Sequence, residues 1–318
     1  MSAGVAFQLS FIGRLRALFD RWSGSEIAYD FRNSWSARTS LAILMIYIAA
    51  ALFPSLFAQH PVFDLSTLDF GDAFKPPAWR PGGDRRFVLG ADDQGRDVLS
   101  AIIYGLRVSL FVSFASVALS VVIGVTLGLI AGFVGGWLDN LIMRVADIQL
   151  TFPAMLVAVL VDGLLQASLG QRAHEQFAVW IIIIAIALSG WVQYARTGRG
   201  STMIVIRHNY VLAARMMGRP VGFILFRHIL PNVATPVFVV ATIQLAVAII
   251  LEATLSFVGL GIPPTQPSLG TLIRVGNGYL LSGEWWLAIF PGLALLILVL
   301  AVNLLGDFLR DALNPKLK

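Results

Sequence analysis

The chain has no cysteine among its 318 residues and only three lysines, Lys75, Lys316 and Lys318. Without cysteine there is no disulfide and no thiol chemistry, although the absence does not fix the compartment. No glycine-rich loop ends in Gly-Lys-Ser/Thr, so the chain carries no recognisable phosphate cradle for ATP. Its four histidines, His60, His174, His208 and His228, form no helical metal pair, and His174-Glu175 lacks the second histidine of a zinc-protease motif. A Gly-x-Ser-x-Gly nucleophile elbow is missing too. With neither a nucleophile nor a metal set, a membrane enzyme has no support. Charge is also scarce: 13% of residues are charged and 57% are apolar, with a mean hydropathy of +0.79. A soluble domain averages about a quarter charged and half apolar, so this composition describes an integral membrane protein.

Six apolar blocks predict six spans, roughly Leu41–Phe57, Val108–Phe133, Leu138–Val161, Phe177–Tyr194, Ala234–Phe257 and Trp286–Leu305. Residues 1–40 hold five arginines and three acids and lack a cleavable-signal pattern. Within them Phe7–Phe19, with Arg14 and Arg16, reads equally as an amphipathic surface helix or a loose tail. Residues 58–107 form a long connection with six basic and seven acidic residues, loop-like at Pro76-Pro77, Pro81 and Gly82-Gly83. Asp92, Asp93 and Asp97 lack the ligand spacing and glycine of a calcium loop, so an ion-pair network of Asp97 with Arg96 or Arg107 is expected and no metal. In the second span Gly124, Gly128, Ala131 and Gly132 predict close helix packing, internal rather than between subunits. In the third, Arg144 and Asp147 are spaced to pair, and Pro153 predicts a kink suited to a gate. Gln244 and Glu252 are the polar residues of the fifth span. Glu252 either lines a solute route or is a structural carboxylate bonded to the following loop; the structural reading is preferred. Residues 259–285 are expected to fold partly back toward the membrane, with Trp285-Trp286 at its interface.

The chain is organised around residues 198–232, which carry Arg199, Arg207, Arg215, Arg219 and Arg227 and no Asp or Glu. A basic loop between spans is expected on the cytoplasmic side. The net charge of +5 is therefore a topology signal, not a nucleic-acid one. From Asn209 to Met217 the residues favour a short helix, with Asn209 as its cap. Gly218 is expected to end it in a left-handed conformation, and Pro220 prevents continuation. Val221–His228 predicts a second short helix closed by Pro231. The exposed apolar residues of this helix–turn–helix suggest docking into a groove on another protein.

Leu212-Ala213-Ala214, Gly218 and Ile229-Leu230-Pro231-Asn232 resemble the coupling loop of ATP-binding-cassette importer permeases, a family that usually has Glu where Leu212 stands. Leu89-Gly90-Ala91-Asp92-Asp93-Gln94-Gly95-Arg96-Asp97-Val98-Leu99-Ser100 and Ile103-Tyr104-Gly105-Leu106-Arg107 look like the C-type subunit of dipeptide/oligopeptide permeases. So do Glu252-Ala253-Thr254-Leu255-Ser256-Phe257-Val258-Gly259-Leu260-Gly261 and the string from Gly306 to Pro315. The resemblance implies an all-α membrane protein with the six-helix type I importer permease fold and a cytoplasmic coupling helix. It divides the chain into a cytoplasmic segment 1–40, a first span 41–57, an extracytoplasmic loop 58–107, a five-helix core 108–306 and a cytoplasmic tail 307–318. It assigns ATPase coupling to Asn209, Tyr210, Leu212, Ala213, Ala214, Arg215, Gly218, Arg227, His228, Pro231 and Asn232. An extracytoplasmic motif comprises Asp92, Asp93, Gly95, Arg96, Asp97 and Arg107, and Pro153, Gln244 and Glu252 are candidates for a gate or path. The implied partners are a homologous second permease subunit, two cytoplasmic ATPase subunits that hold ATP and Mg, an extracytoplasmic binding protein and membrane lipid, all at a bacterial inner membrane. The cargo expected is dipeptides, oligopeptides or similar small solutes, with nickel chelates as an alternative. A stand-alone secondary transporter is the other class; the lack of internal repeats and the few buried charges speak against it.

Overall fold

A computed structural model describes residues 26–60, 62, 69–260, 262–263 and 266–313; the expected Phe7–Phe19 helix lies outside them. The described residues form helices α1 (Glu26–Asn33), α2 (Trp35–Leu52), α3 (Pro54–Phe57), α4 (Val98–Val134), α5 (Gly136–Leu150), α6 (Ala154–Leu169), α7 (Gln171–Val205), α8 (Asn209–Met216), α9 (Val221–Ile224), α10 (Leu230–Val258), α11 (Leu269–Tyr279) and α12 (Trp286–Ala312). Among the described residues five stretches are long and apolar enough to cross a membrane, or six if α5 and α6, bent by 98° at their break, are counted as one span.

Several span boundaries differ from the expected ones for local reasons. The first span begins at Trp35, because the Ser34 hydroxyl accepts from the Ala37 N–H at 3.2 Å and caps the helix. It ends at Leu52, since the residue before Pro54 is steered away from helical backbone. The second starts at Val98, not Val108: Asp97 is its N-cap, and the Ser100 N–H donates to the Asp97 carboxylate at 2.9 Å. Residues 98–107 are therefore helix rather than loop. At 37 residues, α4 is ~55 Å long and outruns a ~30 Å hydrocarbon layer. The fourth continues through Arg196 and Arg199 to Val205, because arginines end the apolar stretch without ending the helix. The last helix likewise runs on to Ala312, past the expected span end at Leu305.

The centre is the pairing of α4 with α7. The buried stripe of α4 is made of small residues, among them Ser113, Ser116, Ser120, Gly124, Gly128 and Ala131, and the Ser120 hydroxyl donates to the Ala187 carbonyl at 3.1 Å. A Cβ on Gly124 would lie 2.4 Å from the Trp191 carbonyl, and one on Gly128 2.5 Å from that of Ala195. The small-residue face thus serves internal packing, as the sequence suggests. Arg199 clamps Asp139 through two bonds of 2.5 and 2.7 Å, tying α7 to the start of α5. Asp147 pairs with Arg196 of α7, not with Arg144: a neighbouring helix outcompetes the local i, i+3 partner.

Helix α11 lies folded back among α4, α10 and α12. Its N-terminus carries a reciprocal capping box between Ser268 and Thr271. Gly270 meets the Ala253 carbonyl and Gly276 the Leu287 backbone so closely that an added Cβ would lie 2.4 and 2.3 Å away. Beside it, residues 69–97 form a folded cap. The Trp286 indole donates to the Ala91 carbonyl at 3.3 Å, and Phe74 meets Tyr279 edge-on at 4.9 Å.

Candidate functional site

At the opposite end from that cap, the chain between α7 and α10 makes a compact hairpin. Val211, Ala214, Ile224 and Ile229 are buried against Tyr194, Val205, Val233 and Val237, so α8 sits on the ends of the two long helices. Gly218 turns the corner at φ +70°, with nothing within 4 Å of a Cβ placed there, and Pro220 follows at φ −62°. The left-handed glycine is thus in place. Two expectations fail. Asn209 is the first residue of α8 rather than its cap; His208 holds the cap position and makes no side-chain bond. Pro231 does not close a second helix. Val221–Ile224 passes into a wide turn, Leu225–Ile229, and straight on into α10, with the Leu230 N–H donating to the Leu225 carbonyl. The wide turn makes room for the proline ring, which would collide with the preceding turn of a regular helix.

The outward side of this hairpin is apolar. Met216 is 89% exposed, Met217 70% and Phe226 73%. Tyr210, Leu212, Ala213 and Phe223 are exposed beside them. An aromatic chain braces the inner edge: His208 stacks on Tyr210 at 5.5 Å, Tyr210 meets His228 at 5.8 Å, and His228 meets Phe223 at 5.6 Å. Asn232 donates to the His228 carbonyl at 2.6 Å. Arg215 lies over the Phe133 ring at 4.7 Å and Arg219 over Phe223 at 5.2 Å, while Arg227 is exposed. The structure brings the expected coupling residues together on one rigid knob.

The expected extracytoplasmic motif is a folding knot. Asp92 accepts from the Gln94 and Arg96 N–H groups at 2.9 and 2.8 Å and from Arg96 Nε at 2.6 Å. Both partners are buried. Arg96 therefore pairs with Asp92 and not Asp97, whose carboxylate is taken up by the α4 N-terminus and the Ser100 hydroxyl at 2.6 Å. Arg107 is exposed on α4 and joins neither network. Gly95, at φ +77°, allows the Asp69 carbonyl to approach within 2.4 Å of where a Cβ would stand. Burial and the neighbouring Asp92 push the Asp93 carboxyl up, and the Tyr279 hydroxyl lies 3.5 Å from it. A second network holds the outer edge of the cap, where Lys75 and Arg86 share Asp72 and Asp84. The bonds from these cations hold Asp72 and Asp84 below the usual carboxylate range.

Gln244 and the neighbours of Pro153 line one cavity, which neither Pro153 itself nor Glu252 joins. The break before α6 is an elbow, far sharper than a kink. The elbow residues Phe152 and Ala154, together with Gln149, Gln193, Tyr194 and Gln244, line a cavity of about 220 Å³. Gln149 locks the elbow to α7: its amide donates to the Leu188 and Ser189 carbonyls at 2.5 and 3.2 Å and accepts from the Trp191 indole at 2.6 Å. Glu252 lies two turns further along α10, fully buried. It accepts from the Ser256 hydroxyl at 2.9 Å, and the Ser109 and Ser268 side chains reach the same carboxylate. Its second oxygen, Oε2, falls short of a full hydrogen bond. The carboxylate thus stands where α4, α10 and the residue capping α11 meet. Sequence reasoning missed Gln149, Tyr194 and Asp162. Asp162 is 2% exposed in α6, and a carboxylate within an apolar span was itself the signal.

Residues 124–318 match the family described as "binding-protein-dependent transport system inner membrane component". The chain belongs to this permease family. Its relatives match nearly end to end. The di/tripeptide transport system permease protein of Pseudomonas aeruginosa is 37% identical over 293 residues, 92% of each chain. The dipeptide transport system permease protein of Haemophilus influenzae is 39% identical over 293 residues, 92% of this chain and 95% of that one; that of Escherichia coli is also 39% identical, over 290 residues, 91% of this chain and 93% of that one. An inward-facing structure of the MetNI methionine ABC transporter matches with a TM-score of 0.54 at 20% identity, over 67% of this permease and 96% of that chain. This likeness shows a shared fold, the helical importer-permease architecture.

Proposed function

We propose that this permease is the membrane subunit of an ATP-driven peptide importer, and that the α8 knob is where ATPase motion enters it. The observation that carries the reading is the face of Met216, Met217 and Phe226, exposed at 89, 70 and 73% on a hairpin whose other side is buried in the ends of α7 and α10. An apolar face on a rigid base is suited to a protein groove, and flexible methionines fit one readily. Because the buried side is continuous with both helices, a push on α8 moves α7 and α10 as a lever. The peptide assignment rests on the relatives' names.

The arginines of the hairpin support a cytoplasmic position for it, and in this reading both termini lie on that side and residues 69–97 outside. Two ATPase subunits hold ATP and Mg, and this chain contributes no catalytic group. A homologous permease completes the pathway, and a binding protein delivers solute to the outer cap. ATP moves the assembly only through its differential affinity for the closed ATPase pair; driving a two-state equilibrium from 1:99 to 99:1 takes about 5.5 kcal/mol of that difference.

The test is to co-express the chain with the neighbouring transport genes and measure ATP hydrolysis with and without peptide-loaded binding protein. Stimulation supports the reading. Stimulation by a loaded nickel chelate and not by peptides would move the cargo to that alternative. A folded chain that retains no ATPase and exchanges solute alone would replace the reading with secondary transport.

A further inference from the structure

The cavity at the elbow has a chemical character that the family relationship does not assign. Among the residues lining it are six hydrogen-bonding side chains, Ser120, Gln149, Ser189, Gln193, Tyr194 and Gln244, and no ionisable carboxylate, amine, guanidinium or imidazole. Three of the six are already engaged: Ser120 donates to Ala187, Ser189 donates to Ile186, and Gln149 holds the elbow. Tyr194 is 1% exposed, and its hydroxyl has no hydrogen-bond partner among the described residues. Buried hydroxyls are nearly always satisfied, so an unpaired one on a side chain that lines the cavity marks a place where a partner belongs. The elbow points the same way. Irregular backbone at membrane depth is tolerated only beside protein or a water-filled cavity, and Thr151, Phe152 and Pro153 are exposed where the helix breaks.

We propose that this cavity is a contact site on the solute path and that it takes an uncharged amide, the peptide bond of the cargo. The Tyr194 hydroxyl donates to the amide carbonyl, and the Gln244 carboxamide, placed across the cavity on α10, accepts its N–H. The class follows from what is absent. An ammonium or carboxylate seated here would be desolvated without a counter-charge, whereas a neutral amide exchanges its water hydrogen bonds for protein ones. The charged ends of a dipeptide would remain toward the open side of the cavity. Such a site reads the backbone common to all peptides and ignores their side chains. The amide assignment rests on the peptide reading above; the placement of the path does not.

The experiment uses the complete complex in liposomes, with dialanine delivered by its binding protein. Tyr194→Phe and Gln244→Leu should each lower dialanine moved per ATP about fivefold, while stimulation of ATP hydrolysis by loaded binding protein stays within twofold of wild type. Unchanged dialanine per ATP in both variants overturns the proposal. Because the chain has no cysteine, a second measurement is direct in an otherwise cysteine-free complex. Gln244→Cys should react with a charged maleimide at least tenfold faster than Met45→Cys, on the exposed face of the first span. Equal rates overturn the path assignment. Labelling needs no cargo, so it judges the path even where the wild-type complex moves no dialanine, a result that removes the peptide reading and the amide assignment together.

Discussion

Gly128→Ala adds one methyl group where α4 meets α7. Its Cβ would lie 2.5 Å from the Ala195 carbonyl oxygen, 2.9 Å from the Arg199 nitrogen and 3.1 Å from the Ala195 Cα. All three are backbone atoms of a helix, so no rotamer change relieves the contact. Favourable carbon contacts sit near 3.5–4.0 Å, so the helices must separate by ~1 Å. That separation also loosens Gly124 against Trp191 and Gly132 against Thr202, which pack on the same line. Overpacking of this kind costs about 1–3 kcal/mol. Alanine recovers about 1 kcal/mol of helix propensity over glycine, which leaves a net loss of about 0–2 kcal/mol. Gly163 in α6 is the control, since a Cβ there meets nothing within 4 Å and only the propensity gain applies. The two alanine variants should therefore differ by the overpacking cost alone, about 1–3 kcal/mol, or roughly 2 °C or more in Tm. Thermal melting of each variant in the same detergent measures this. A Gly128→Ala protein that melts at or above Gly163→Ala would refute the close-packing argument.

Gly218→Asn should keep binding-protein-stimulated ATP hydrolysis near wild type, whereas Gly218→Val should reduce it severalfold with little change in Tm, because asparagine tolerates φ +70° and a β-branched residue does not. Arg96→Met strands the buried Asp92 carboxylate, which in comparable buried pairs costs about 3–5 kcal/mol; limited proteolysis of the outer cap should rise, and adding Asp92→Asn should recover part of the loss. The cap should also respond to acid. Asp72 and Asp84 have folded pKa values below the ordinary 3.8, so their contribution is complete above about pH 4 and fades as pH falls through the lowered values. Asp93 is raised above 3.8 and works in the opposite sense, favouring the folded cap as pH falls through its raised value. Melting of the cap followed from about pH 5 down to about pH 2 should show the acid loss, and Asp72→Asn with Asp84→Asn should flatten it.

What the sequence revealed was local. A glycine two residues before a proline defines the α8 corner whatever surrounds it, and the spacing of small residues on α4 leaves few ways to use that face. The errors share a cause: a correct local signal with a second meaning. Asp97 stands three residues before Ser100, which is a capping arrangement as much as an ion-pair one, and the backbone amides took the carboxylate. Pro231 marks a helix boundary, but the first turn of a helix is where proline is welcome. Asp147 had an arginine three residues away, yet bonds one 49 residues on, a choice only tertiary packing makes. The cavity was the least legible feature. Pro153 and Gln244 were visible singly, but Tyr194 read as the end of a span, and an unpaired hydroxyl has no sequence signature.

The central claim, that α8 receives the ATPase stroke, is tested most directly by a cross-link. Met216→Cys places a single thiol at the most exposed large apolar side chain of the hairpin, 89% accessible, in a chain with no other cysteine. In assembled complexes, a short thiol-to-amine cross-linker should join this residue to an ATPase subunit in high yield, and the yield should change when ATP closes the ATPase pair. Adducts to the extracytoplasmic binding protein, or no ATPase adduct in complexes that still hydrolyse ATP on stimulation, would contradict the account.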